Sequence, residues 1–217
     1  MRRLSDLLFF VLAIVALACE DDSVVRGTGP VVTRTLTLED VSALAVSGSS
    51  RVVFTQSSPQ EVTVRGQANL IDVLSTEVEN GTWNIRFTEN VRVNEEFTVF
   101  ITLPTVERIS VSGSGEVRNN GAFTQEAIDI SVSGSGEVSL TGEVDRQTAA
   151  VSGSGTVSNY GLTSRETVVT VSGSGDAQVT STETLDATVS GSGDIRYRGN
   201  PTTVNQSVNG SGSISQG

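Results

Sequence analysis

The sequence has no histidine, no lysine and a single cysteine, and all 14 of its basic residues are arginine. Without histidine there is no imidazole base, no Ser-His-Asp triad and no His-based zinc site. Without a second cysteine there is no disulfide framework, and beyond Cys19 there is no thiol nucleophile. Acidic residues number 25, for a net charge of −11. Phosphate binding needs a basic stripe, so nucleic acid is excluded as a partner, and so is electrostatic attachment to an anionic bilayer. The missing lysine fits a GC-rich genome or a salt-adapted proteome, and both stay open. The apolar run Leu7 to Leu17 has 11 residues, and even with Ala18 and Cys19 after it it falls short of the ~20 that a membrane-spanning helix needs. Aromatic residues make up only 5% of the chain. A core must therefore come mainly from smaller side chains.

What is abundant is glycine, in a pentapeptide that keeps returning. Val111-Ser112-Gly113-Ser114-Gly115 recurs from Val132, Val151, Val171 and Val189, with a near copy, Val208-Asn209-Gly210-Ser211-Gly212. The steps are 21, 19, 20, 18 and 19 residues. A near-constant period of this size marks a solenoid, in which each repeat stacks on the next. Two positions after the second glycine stands Val117, Val138, Val157, Ala177, Ile195 or Ile214. Ten after the leading valine stands Gly121, Gly142, Gly161 or Gly199, with Ser181 in the fourth full copy. Segments this short, β-branched and punctuated by glycine read as strands and turns. The expected fold is all-β: a right-handed parallel β-helix, or β-solenoid, with coils of about 18–21 residues. Its valines form an inward ladder, with Val151 between Val132 and Val171, and its serines an outward hydroxyl row.

The chain starts with Arg2 and Arg3, then the apolar run, then Ala18 and Cys19. This is a signal peptide over 1–18. Val15-Ala16-Leu17-Ala18-Cys19 resembles the lipobox of bacterial lipoproteins, although Ala16 and Leu17 depart from its usual residues. The resemblance implies lipidation of Cys19 and a membrane partner held through that anchor. An ordinary secretory signal with an incidental cysteine is the alternative. Glu20, Asp21 and Asp22 follow, and residues 19–33 read as a polar tether. In some bacterial lineages acids here accompany export to the outer surface. In others an aspartate holds the protein at the inner membrane. The expected location is the bacterial cell envelope, at the outer membrane or cell surface rather than the inner membrane.

Residues 34–217 read as one solenoid domain, with irregular strands over 34–108 and regular repeats over 109–217. Val46-Ser47-Gly48-Ser49-Ser50 is a partial early copy. Val64-Arg65-Gly66 reads as a degenerate copy 18 residues on, and Ile85 with Val91 as a further one. Gln56 to Gln60 reads as a turn, and Asn80-Gly81 as a turn between the strands 73–78 and 83–87. Trp83 is assigned to the core.

Arg34 to Gly121 resembles the opening of the putative auto-transporter adhesin, head GIN domain family. The likeness runs through Val46-Ser47-Gly48-Ser49, Glu61-Val62-Thr63-Val64, Gly81-Thr82-Trp83-Asn84-Ile85, Leu103-Pro104 and Ile109 to Gly115. The glycine-rich repeats after Gly121 resemble that family's coils. The resemblance implies a β-helix-like fold on an envelope protein, often a lipoprotein, and carries over no catalytic residues.

One column has chemistry of its own. The residue after each second glycine is Glu116, Glu137, Thr156, Asp176, Asp194 or Ser213. Stacked acids are candidate calcium ligands. Thr156 interrupts them, and solvated turn residues are the plainer reading; like charges ~5 Å apart also repel modestly. Arg118, Arg146, Arg165, Arg196 and Arg198 fall at different places in the repeat, so no acid–arginine site is read and no cofactor is expected. The function read here is non-enzymatic: a lipid-anchored adhesin or structural contact protein with a cell-surface or glycan partner. The alternatives are a glycan-binding module or β-helix polysaccharide-active enzyme, and an envelope assembly or stress-linked lipoprotein.

Overall fold

The computed structural model describes residues 24–217. The signal peptide, Cys19 and the acidic triplet lie outside the described residues. The remainder is strand, apart from turns and a one-turn helix, Ala68–Ile71.

The V-S-G segments stack in parallel. Arg108–Gly113 pairs with Phe123–Gly134, and the pairing continues through Thr141–Gly153, Thr156–Gly173 and Asp176–Gly191 to Thr203–Gly210. The register is one repeat per step. Val46, Val111, Val132, Val151, Val171 and Val189 therefore stand in one column, each no more than 1% exposed. Val52, Val117, Val138, Val157, Ala177 and Ile195 form a second, wholly buried column. Burying each valine contributes about 1.5–3 kcal/mol relative to leaving it in water. The alternating serines Ser112, Ser133, Ser152, Ser172 and Ser190 face outward.

Glycine is required where coils crowd. Gly113, Gly134, Gly153, Gly173 and Gly191 have φ between +111° and +133°, the left-handed region. A Cβ on any of them would lie 2.3–2.8 Å from the carbonyl oxygen of the glycine one coil below. Gly142 departs from its column for the same reason. Its Cβ would lie 1.9 Å from the carbonyl oxygen of Phe123, whose ring is fully buried beside Phe54 at 5.6 Å between centroids.

The N-terminal half winds differently from the sequence expectation. Ala43–Gly48 and Arg51–Gln56 form a coil flanked on both sides. Arg108–Gly113 and Glu116–Asn119 stack on one side. Thr82–Ile85 and Thr98–Leu103, which come later than this coil in the chain, stack on the other. The partial copy at Val46 is thus a true coil, in register with Val111. Ile85 is also in register, beneath Val46, but the strand that lies beneath Arg51–Gln56 in the same coil is Thr98–Leu103 and not the segment at Val91. The copy expected at Val64 does not exist. Glu61–Gln67 runs antiparallel to Val31–Leu36 and to Thr98–Leu103, so its valines cover the end of the barrel-like stack instead of continuing it. The polar tether is shorter than expected as well. Val25–Arg26 pairs with Val91–Arg92, and Val31 already belongs to a strand, because these β-branched residues find an edge to pair with. Asn80-Gly81 is the expected turn, with φ of +51° and +73°, between Val78–Glu79 and Thr82–Ile85. The preceding segment differs from the expected strand 73–78. The helix Ala68–Ile71 precedes that stretch, within which only a lone bridge from Leu74 to Phe87 and the start of the strand Val78–Glu79 are paired.

The last coil keeps the repeat. Thr203–Gly210 and Ser213–Gln216 pair with the coil before them, but nothing covers their far side among the described residues. Val204 and Val208 are accordingly 40% and 44% exposed. Pro201 precedes the paired residues and removes no ladder bond.

Several polar side chains break the apolar rule of the interior, and Gln147 and Asn159 are the largest of those with no exposure. Gln147 stands in a column between Ile128 and Thr167, fully buried, and neither amide atom has a hydrogen-bond partner. Asn159 is also fully buried, but its amide oxygen accepts the Leu140 N–H at 2.9 Å. An orphaned buried amide costs roughly 1–3 kcal/mol. Gln147→Met keeps the volume and removes the polar atoms. The variant is expected to melt higher than the parent in a calorimetric scan; an unchanged or lower transition would mean that the amide is satisfied in solution.

Candidate functional site

Each coil's second strand begins just after Ser-Gly, and its first residue carries the predicted acid column. The structure stacks it as expected: Glu116 on Glu137, Glu137 on Thr156, Thr156 on Asp176, and Asp194 on Ser213. The acids are occupied by the protein itself. The Arg51 Nε donates to Glu116 Oε2 at 2.8 Å. The Asp194 N–H donates to Asp176 Oδ1 at 3.0 Å, and the Ser213 N–H to Asp194 Oδ1 at 3.0 Å. Asp194 is held below the usual carboxylate range, chiefly by the Ser213 hydroxyl and also by that N–H and by Arg196. Asp176 and Asp194 anchor the next coil's first backbone amide, much as an N-cap does. Glu137 has no partner in this set. Among the described residues no three carboxylates, histidines or thiols converge as metal ligands.

The sequence expectations do not include a second charged region, which lies within the long strands where the ladder skips residues on each coil. The skipped positions bring together Glu126, Asp145, Arg165 and Glu183. Arg165 Nε lies 2.8 Å from Glu183 Oε1, and its guanidinium lies 3.5 Å from Asp145. This raises Arg165 above the ordinary arginine value, mainly through the Glu183 hydrogen bond, and the same bond holds Glu183 low. Beside it Arg146 pairs with Glu166 at 3.3 Å. All these groups are exposed, so solvent screens each pair and it adds little to stability. Glu126, Asp145 and Arg165 border an open groove of about 820 Å³, shared with Gln56, Glu143 and Thr124. Gln56 closes one end: its amide donates to the Thr124 carbonyl at 2.9 Å and accepts the Thr124 N–H at 2.8 Å. That bond ties the irregular half to the regular one. Arg146 and Arg165 therefore lie on consecutive coils, at different places in the repeat, and each pairs with neighbouring acids. Arg118 alone of the five flagged arginines has neither an ion pair nor a ring partner among the described residues, since Arg196 meets Asp194 and Arg198 lies over Tyr160 at 4.0 Å.

Trp83 is structural. It is fully buried, and its indole N–H donates to the Ser75 carbonyl at 3.0 Å.

A family described as putative auto-transporter adhesin, head GIN domain matches residues 40–201. Among solved structures, a putative adhesin from Bacteroides fragilis aligns with a TM-score of 0.75 and 22% identity, over 88% of this chain and 99% of that one. A putative adhesin from Parabacteroides merdae aligns at 0.56 and 20%, over 89% and 98%. A putative lipid binding protein from Parabacteroides distasonis aligns at 0.55 and 24%, over 89% and 99%. Likeness at these identities concerns the fold. No curated protein matches the chain.

Proposed function

The chain belongs to the putative auto-transporter adhesin, head GIN domain family, and from that premise we propose that it is a non-enzymatic, lipid-anchored contact protein of the bacterial cell envelope. The observation that carries the reading is the surface of the stack. Its repeated outward serines and paired charges form long, even faces, and most acids of the column and groove are spent on neighbouring coils. A catalytic carboxylate needs freedom to exchange a proton with substrate. A contact surface needs only to be rigid and displayed. The structural relatives named as adhesins support the same reading. No helix among the described residues is long and apolar enough to cross a membrane. In this reading Cys19 supplies the attachment, as the lipobox-like residues around it indicate.

Expression of the full chain in a non-adherent bacterium tests the reading. Cells carrying it are expected to attach to mucin-coated surfaces several-fold more than cells carrying the empty vector; equal attachment overturns adhesion. The anchor has its own test. Labelled palmitate is expected to enter the wild-type protein and not Cys19→Ala, which should leave the membrane fraction, since acyl chains provide about 0.8 kcal/mol per buried methylene. Equal labelling of both would remove the lipoprotein assignment.

A further inference from the structure

Phe100 is the only aromatic side chain exposed among the described residues, at 40%. It lies in the strand Thr98–Leu103, on the face turned away from the core, since Val99 and Ile101 point inward and are buried. Cross-strand register sets its neighbours. Arg118, Val53, Phe100 and Thr63 form one row across four strands. Thr102 and Glu61 belong to the next row. With strands ~4.8 Å apart and alternate residues ~7 Å apart, the patch measures roughly 14 by 7 Å. It is the floor of a depression of about 440 Å³.

The polar groups here differ from those of the charged groove. Arg118 and Glu61 make no ion pair among the described residues, while the groove arginines are all paired. Among the described residues the hydroxyls of Thr63 and Thr102 have no protein partner either. One ring face is therefore surrounded by unused donors and acceptors of both signs, above the nearly buried Val53. We infer that this depression is a sugar-binding site, taking one or two rings of a glycan. The apolar C–H face of a hexose lies against Phe100, and its hydroxyls reach the threonines, Glu61 and Arg118.

Size and chemistry argue for this occupant. A stable protein partner covers ≈800 Å² per side, several times this footprint. An acyl chain would leave the threonine hydroxyls and both charges desolvated and unpaired. A bare anion meets Glu61 and a net charge of −11. A sugar offers both an apolar face and hydroxyls, and the volume lies within the range of small-ligand sites. The inference rests on the contact-protein reading and names the class of molecule contacted.

The detergent-solubilised full chain is applied to an array of glucose-, galactose-, N-acetylhexosamine- and uronic-acid-terminated oligosaccharides. Binding to at least one class is expected. Phe100→Ala should weaken it at least about tenfold, Phe100→Trp should retain it, and Arg118→Ala should selectively affect uronic acids. Val208→Ala, on the far coil, should bind as the parent does. Because Phe100 is exposed, Phe100→Ala should melt with the wild type. Absence of binding to every class, or full binding by Phe100→Ala, overturns the site. Attachment of expressing cells with a blank array would leave adhesion standing and remove this site. Array binding without cell attachment would do the reverse.

Discussion

Val151→Asp is expected to lower the melting temperature by on the order of 10 °C or more, while Ser152→Asp leaves it nearly unchanged. The two positions are adjacent, and the substitution is the same. Val151 is 1% exposed and in register with Val132 below and Val171 above. No basic group faces into that column, which is valine throughout. A carboxylate there is either ionised without a partner or protonated at a cost in free energy, and the valine's own burial is lost as well. Together these amount to about 3–5 kcal/mol. Ser152 faces solvent between Ser133 and Ser172, and a surface substitution there stays within about 0.5 kcal/mol. Thermal scans of the two variants side by side check this. Equal shifts would mean that the ladder does not carry the stability.

Three glycine-to-alanine variants are expected to separate backbone strain from crowding. Gly121 has φ of +86° and open space around its missing Cβ. Gly121→Ala should lose only the left-handed penalty, about 1–2 kcal/mol. Gly175 has no left-handed φ, but its Cβ would lie 2.3 Å from the Gly155 carbonyl oxygen and 2.7 Å from Val151 Cγ1. Gly175→Ala should force two coils apart. Gly153 combines both problems, with φ of +111° and a Cβ 2.8 Å from the Gly134 carbonyl oxygen. The backbone atom in the way cannot rotate aside, and overpacking of this kind adds about 1–3 kcal/mol to the strain. Gly153→Ala should therefore melt well below Gly121→Ala. If Gly121→Ala is the least stable of the three, stacking is not what conserves space in the ladder.

The regular half of this fold can be read from its residues because parallel, in-register stacking is the one arrangement that puts identical side chains in identical surroundings. Counting forward from each valine finds the second column. Counting four back from each valine finds residues 128, 147, 167, 185 and 204, and would have shown that Gln147 and Thr167 are interior. The N-terminal half resists such reading. Val64-Arg65-Gly66 has the spacing of a coil, yet spacing alone does not say whether a strand runs parallel or antiparallel to its neighbour. Nor does it show that the chain returns beneath Ala43–Gly48 before climbing past it. The charged groove was legible by the same count, since six back from Val132, Val151, Val171 and Val189 stand Glu126, Asp145, Arg165 and Glu183. Comparing arginines alone hid it, because only one of these four positions is an arginine. Phe100 was legible only as an aromatic in a strand. Its outward direction depends on which face of that strand the antiparallel segment Glu61–Gln67 leaves open.

The uncovered last coil has a consequence for how such chains vary. Its edge repeats the edge of every regular coil beneath it, and each of those coils meets only the one above and the one below. A tandem duplication of one unit within the regular half would insert a storey without changing the surroundings of any other. Each added storey lengthens the stack by ~4.8 Å. Height then becomes a quantity that gene duplication can adjust in equal increments, like marks on a ruler, while the irregular half and everything attached to it remain as they are.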